Sequence, residues 1–211
     1  MMKKTENEVL YNLFLSCVIM GFDKKRKTAF QNDKSKRGHV DEGIKELVDL
    51  INSFDNMFTT SSCAGRISVV KKITGKKDLE FLFCSHDKVK DISDIKPKLS
   101  NFKGEGSVWL LFQPSIIHVC CKTPGDATWF LSCAKKAGYK RGGIISIKET
   151  VMVEIIGTEC IEHLLYDVKG IYYTDECIER LLYYANNKFN SNSFRISRLI
   201  NALKKNINNS K

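Results

Sequence analysis

Apolar positions at Val9, Leu10, Leu13, Phe14, Cys17, Val18 and Met20 recur at helical spacing and predict a first helix over 6–22. A polar stretch, Asp23-Lys24-Lys25-Arg26-Lys27, and a loop from Gln31 to His39 follow. The helical period returns from Asp41 to Phe54, with Ile44, Leu47, Val48 and Ile51 on one face and Asp41 complementing the dipole at its start. The period then shortens. Met57–Thr60, Ile67–Ile73 and Leu79–Cys84 are β-branched or aromatic runs that predict strands, the last two joined by a hairpin turn at Thr74-Gly75-Lys76-Lys77. Ser85–Leu99 is polar and helical in part. Strands are expected at Val108–Phe112 and Ile116–Cys121, and a helix over Asp126–Ala137, started by Thr123-Pro124-Gly125 and stopped by Gly138. Ile144–Ile147 and Val151–Ile156 return to strand spacing. One closing helix runs from Thr174 through Leu181, Leu182 and Ala185, a second covers Phe194–Leu203, and the tail from Lys204 frays.

Strands come in hairpin-like groups and do not alternate strictly with helices. That order predicts an α+β fold, a mixed, largely antiparallel sheet with flanking helices, and not a Rossmann-type parallel sheet. The 211 residues suit a single domain over 1–211, with no internal repeat.

Composition narrows the class. No run of 18 apolar residues is present, so no membrane span is expected. Leu13–Met20 imitates a signal-peptide core, but Glu6 and Glu8 precede it and no small-residue cleavage site follows. The net charge of +10 and pI near 9.2 favour a polyanion partner through counterion release. A genome biased toward Lys, Asn and Ile would supply the same excess without a selected function. None of the 8 cysteines forms a CxxC pair, and most lie in apolar runs such as Phe81–Cys84 and Ile117–Cys120. They read as buried free thiols of a reduced, cytoplasmic protein without a structural metal.

Thr59-Thr60-Ser61-Ser62-Cys63-Ala64-Gly65-Arg66 is the segment richest in candidate chemistry. Its small residues expose backbone N–H groups to an anion, and Arg66 can clamp a carboxylate or phosphate. The same residues also make an ordinary turn. Cys63 has no base beside it in the sequence, so packing is its default role. Ser85-His86-Asp87 closes a strand and presents an imidazole with a carboxylate next to it, either for proton relay or as a solvated turn. His118 is a strand histidine, a core residue by default. Gly104-Glu105-Gly106-Ser107 precedes a strand and lacks the context of a dinucleotide loop. Lys140-Arg141-Gly142-Gly143 suits a phosphate contact or a plain helix-to-strand turn. Cations and an aromatic interleave over Asp23–Arg37, in the manner of an RNA-backbone track or of a solvated charge run.

In order along the chain, several segments resemble the tRNA wybutosine-synthesizing protein 3 family. Asp33-Lys34-Ser35-Lys36-Arg37-Gly38-His39-Val40-Asp41 is similar to that family's D-x-S-x-K-G-x-(V/I)-D segment, and Thr59–Arg66 to its T-S-S-C-S-G-R-I signature. Phe83–Asp87 resembles its strand ending in S-H-D, Phe112–Val119 its E-P-x-I-L-H-V element, and Ala137–Ile144 its A-x-x-x-G-F-R-x-S-G-I element. Arg37, Ala64, Gln113 and Gly142 depart from the usual Lys, Ser, Glu and Ser.

The resemblance implies an S-adenosylmethionine-dependent methyltransferase without a Rossmann fold. Its substrate would be the N4 nitrogen of the tricyclic wybutosine precursor beside the anticodon of phenylalanine tRNA. On that reading Ser61, Ser62, Gly65 and Arg66 hold the donor, and Asp33, His86 and His118 are the candidates for acceptor orientation or proton removal. Lys36, Arg37 and Arg141 touch phosphates of the anticodon stem-loop; no DNA or membrane partner is expected. The alternative is a non-catalytic RNA-binding α+β module.

Overall fold

The computed structural model describes residues 21–29, 40–73, 79–100 and 105–208. The expected first helix lies outside this range except for its last residues, as do the loop Gln31–His39, the turn Thr74–Lys77 and Gly104. The described chain forms two compact units. Unit 1 takes residues up to Ser62, Ile116–Ile156 and the chain from Ile196; unit 2 takes Cys63–Ser115 and Gly157–Arg195.

Unit 1 is built on a four-stranded sheet in the order β1 (Met57–Cys63), β5 (Ile116–Cys121), β7 (Val151–Ile156), β6 (Arg141–Ile147). β5 and β6 both pair antiparallel with β7. Side chains alternate between faces along each strand. Ile117, Val119, Cys121, Val151, Val153 and Ile155 are buried on one face, which carries α4 (Pro124–Ala137) with its buried Phe130 and Ala134. A capping box between Thr123 and Asp126, Pro124 in the first turn and Gly138 at φ +102° fix the ends of α4. The other face meets α1, helical over 21–29, where Phe22 packs edge-on against Phe58 and joins Cys120.

The sequence pattern marks 23–27 as a polar stretch, yet it is helical, because its cations have structural work. Arg26 donates to the carbonyls of Asn52 (2.9 Å) and Asp55 (3.1 Å) and so satisfies the end of α2 (Glu42–Asn52). Lys25 donates to Thr150 Oγ1 at 2.9 Å. α2 buries Ile44, Leu47, Val48 and Ile51, the four residues its periodicity selects.

Unit 2 carries a five-stranded sheet in the order β3 (Glu80–Ser85), β2 (Arg66–Lys72), β4 (Ser107–Gln113), β8 (Ile161–Asp167), β9 (Gly170–Ile171), all neighbours antiparallel. Ile67, Val69, Val108, Leu110, Phe112 and Leu165 form its core with Ile178, Leu182, Ala185 and Phe189 of α5. α3 (Lys96–Ser100) adds Leu99. β8 and β9 carry no periodic signal strong enough to predict them. The two closing helices are one, α5 (Asp175–Asn208). Asn186-Asn187 and Asn190–Ser193 lie in the stretch between the two expected helices. Two of these polar residues, Asn186 and Asn192, hold other parts of unit 2, and that offsets their poor helix propensity.

Asn192 is fully buried. Its Oδ1 accepts from the backbone N–H (3.0 Å) and the hydroxyl (2.8 Å) of Ser115, and its Nδ2 donates to the Ala64 carbonyl. Gly157 N–H in turn donates to Ser115 O at 2.9 Å. One amide therefore ties α5 to the Ala64-Gly65 and Pro114-Ser115 turns. Asn186 pins a further loop by bonding both the N–H (3.1 Å) and the carbonyl (2.8 Å) of Val89. Replacing Asn192 with Ala removes three hydrogen bonds made in the interior, and is expected to cost about 2–4 kcal/mol of stability. Asn192→Asp keeps an acceptor for Ser115 but faces the Ala64 carbonyl without a donor, and is expected to be destabilising as well. Thermal unfolding of the two variants checks this; an unchanged midpoint for Asn192→Ala would remove the residue from the list of structural ties.

Candidate active-site residues

The small-residue segment is mostly strand. Ser61, Ser62 and Cys63 complete β1, Arg66 opens β2, and only Ala64-Gly65 forms the turn. Gly65 sits at φ +108°, and a Cβ there would lie 3.0 Å from the Gln113 carbonyl. Glycine is required on both counts.

In unit 2 the register brings several candidate side chains to one end of the sheet. Arg66 pairs with Gln113, Ile67 with Ser85, and Phe112 with Ile161. The start of β2, the ends of β3 and β4 and the start of β8 therefore lie side by side. Arg66 Nε donates to Gln113 Oε1 at 2.5 Å, and its guanidinium lies 4.9 Å from the centroid of the Phe81 ring. Gln113 is a neutral acceptor, so it orients Arg66 without cancelling its charge.

His86 follows β3. Its Nδ1 lies 3.5 Å from Cys63 Sγ, which also accepts from the Gly65 N–H at 3.4 Å. The chain fold thus gives Cys63 a base that the sequence around it lacks. The Asp87 N–H donates to Ser85 Oγ at 3.1 Å in a local turn. Cys84, expected inside an apolar run, is exposed, because β3 is an edge strand. Cys120, Cys121 and Cys133 are buried as expected. Burial pushes the Cys121 thiol up to about 12, which leaves it inert at neutral pH.

The same end of unit 2 holds two residues that sequence reading passes over. Arg195 of α5 donates to Glu159 Oε1 at 2.5 Å and reaches Thr158 Oγ1 at 3.5 Å. The hydrogen bond from Arg195 holds the Glu159 carboxyl below the ordinary glutamate range. Glu159 Oε2 is buried and has no partner among the described residues. Glu159-Cys160 precedes a strand that the sequence pattern does not reveal, so nothing local marks the carboxylate.

Unit 1 presents a second group. His118 lies opposite Glu154, Glu154 opposite Gly143, and Ile156 opposite Arg141. Directly opposed residues share a face. Phe58 packs with Cys120 on this same face, so Thr60 and Ser62 follow it there and Ser61 turns to the other side. Ser62, His118 and Arg141, chosen from the sequence for three different roles, thus lie on one face of one sheet. His118 Nε2 is 2.8 Å from Glu154 Oε2, and both side chains are about a quarter exposed. A carboxylate only accepts, so the proton sits on Nε2 and the lone pair on Nδ1. Arg141 is exposed. Asp33, Lys36 and Arg37 lie outside the described residues.

The antiparallel sheets make an α+β fold, and among the described residues no glycine-rich loop opens a helix, so the domain is not of the Rossmann type. The family model described as Methyltransferase TYW3 matches residues 23–205. An Archaeoglobus fulgidus protein named tRNA(Phe) 7-((3-amino-3-carboxypropyl)-4-demethylwyosine(37)-N(4))-methyltransferase is 36% identical over 185 residues, 86% of this chain and 91% of its own length. The tRNA wybutosine-synthesizing protein 3 homolog of Xenopus laevis is 34% identical over 187 residues, 86% of this chain and 73% of its own. The solved PH1069 protein of Pyrococcus horikoshii superimposes with a TM-score of 0.79 at 30% identity, covering 89% of this chain and 98% of that one. The chain belongs to the TYW3 methyltransferase family. No helix among the described residues is long and apolar enough to cross a membrane.

The depressed Glu159 carboxyl has a pH signature. A carboxylate whose folded pKa is lowered stabilises the fold above its unfolded value, near 4.5, and loses that contribution as pH falls through the folded value. Glu159→Gln should therefore lower stability at pH 7 by about 1–3 kcal/mol, with the gap from the parent protein narrowing as the pH falls through the lowered folded pKa. Unfolding curves at pH 7 and pH 3.5 check this; a gap that persists unchanged in acid would mean that the carboxylate's charge is not what stabilises unit 2.

Proposed function

We propose that this chain transfers a methyl group to the N4 nitrogen of 7-(3-amino-3-carboxypropyl)-4-demethylwyosine in phenylalanine tRNA, with S-adenosylmethionine as donor. The anchored Arg66 carries the donor half of this reading. Gln113 engages Nε alone, and among the described residues no acceptor is bonded to the terminal guanidinium nitrogens, which suit the two oxygens of an amino-acid carboxylate. The unpartnered oxygen of Glu159 at the same end of the sheet fits the ammonium or a ribose hydroxyl of such a donor. S-adenosylmethionine supplies an electrophilic methyl group on a sulfonium centre. The protein's task is then to align the two reactants and exclude water.

Ser61, Ser62 and Gly65 are assigned to the donor beside Arg66. His118 is assigned as hydrogen-bond acceptor for the proton on the target nitrogen: Glu154 fixes its tautomer and leaves Nδ1 basic. Asp33 and His86 remain assigned to acceptor orientation. Lys36, Arg37 and Arg141 are assigned to phosphates of the anticodon stem-loop. The family model spans residues of both units, which supports one working domain over the whole chain. Its free thiols suit a reducing compartment, the cytoplasm.

Arg66→Ala is expected to weaken S-adenosylmethionine binding ten- to a hundredfold, the equivalent of roughly 1.5–3 kcal/mol for a charge-assisted contact. Ser62→Ala should cost about 0.5–1.5 kcal/mol. Calorimetry on folded variants reads both; loss of tRNA binding with donor affinity intact in Arg66→Ala would turn this loop toward the RNA. A parent protein that binds tRNA but no donor would be the non-catalytic RNA-binding module.

His118→Ala is expected to lower kcat on precursor tRNA by roughly 10²–10⁴ while donor affinity stays unchanged. Glu154→Gln should lower it less and shift the pH–rate profile, since an amide cannot stabilise an imidazolium. Full turnover in His118→Ala would assign the proton to another group.

A further inference from the structure

We infer that the outward face of α5 over residues 180–194 is a stacking surface for unpaired nucleotides of the tRNA; the inference rests on the tRNA methyltransferase reading above. The chain from Arg180 to its end contains no Asp or Glu, although Asp175, Glu176 and Glu179 stand just before it. A solvated helix of ordinary composition mixes both signs. Here the surface turns wholly neutral or basic at one point.

Three aromatic residues lie exposed on that stretch: Tyr183 at 57%, Tyr184 at 56% and Phe194 at 66%. The inward side of the same helix is already filled by Leu182, Ala185 and Phe189, so the outward aromatics are not part of that core. The Tyr183 and Tyr184 rings meet edge to face at 5.4 Å, which holds them as a pair. Arg180, Tyr184, Asn187 and Phe194 fall at intervals of four, three and seven residues, which places them in one row on a helix. That row is about 21 Å long at 1.5 Å per residue. Aromatic faces, amide edges and a guanidinium in no ion pair among the described residues are the elements that hold splayed bases: rings stack on bases of any kind, amides bond their edges, and the cation meets the backbone. A face built to bind a second protein copy has no need to exclude acids. Charge complementarity with a polyanion accounts for their absence.

Stacking and phosphate contact respond differently to salt, and this separates the parts of the surface. Binding of a phenylalanine tRNA transcript is measured across a salt series for the parent protein, Tyr184→Ala, Phe194→Ala, Tyr184→Trp and Arg180→Gln. Each Ala variant should lose roughly five- to a hundredfold in affinity, with an unchanged log–log salt slope. Tyr184→Trp should restore binding. Arg180→Gln should flatten the slope by about 0.7. S-adenosylmethionine binding by calorimetry should stay at the parent level in all four. Tyr184→Ala and Phe194→Ala that bind tRNA as the parent does would overturn the inference. So would a parent dimer, seen by sedimentation, that these variants dissociate without affecting tRNA affinity. The underlying reading is tested apart from this by methyl transfer in the parent protein: transfer with unaffected variants defeats only the surface assignment, whereas absence of both transfer and tRNA binding defeats both.

Discussion

Unit 2 depends on one buried amide. Asn192 offers a carbonyl to Ser115 and an N–H to Ala64 from the middle of a helix. An isolated asparagine in a helix is a weak choice, and a buried one is tolerated only when its donor and acceptor are both used. Here they are used by turns that have no regular hydrogen-bond ladder of their own. Ala64-Gly65 and Pro114-Ser115 adjoin Arg66 and Gln113, so the amide that satisfies these turns also sets where the Arg66–Gln113 pair begins. Gly65 at positive φ and Gly157, where a Cβ would come within 2.6 Å of Pro114, allow the backbone to come this close.

The chemistry of each group follows from what its neighbour can and cannot do. Gln113 accepts from Arg66 but carries no charge, so the guanidinium is oriented and remains cationic; a glutamate at that position would orient it and neutralise part of its pull on a ligand. Glu159 has the reverse relation to Arg195: a full ion pair keeps the carboxylate ionised while one oxygen has no partner among the described residues. In unit 1, Glu154 decides which nitrogen of His118 is basic. In all three cases a second residue determines what the first can do.

Strand parity constrains the Ser-rich segment more tightly than its composition suggests. In a loop, Ser61 and Ser62 could both turn to one ligand; in β1 they cannot, and only Ser62 shares a face with Thr60 and His118. Cys63 accepts from Gly65 and lies beside His86, which ties the end of the strand to its turn.

The sequence by itself determined the period of most elements. α2 buries its predicted face, α4 starts and stops at Thr123 and Gly138, and β5 and β7 fall within their predicted limits, because caps, glycines and hydrophobic spacing are local signals. It also carried the ordered motifs by which the family is recognised. Only the tertiary structure decided the rest, because the deciding contacts join residues far apart in the chain. The Asn-rich stretch of α5 lies between two expected helices until its amides meet Val89, Ser115 and Ala64. The polar stretch at 23–27 shows no structural role until Arg26 meets the end of α2. Ser61–Cys63 read as turn until β1 finds its place beside β5. Cys63 acquires its histidine, and Glu159 its arginine, only when residues 23 and 36 positions away are brought to the same end of unit 2. Side-chain chemistry depends on such neighbours, and spacing along one sequence does not contain them.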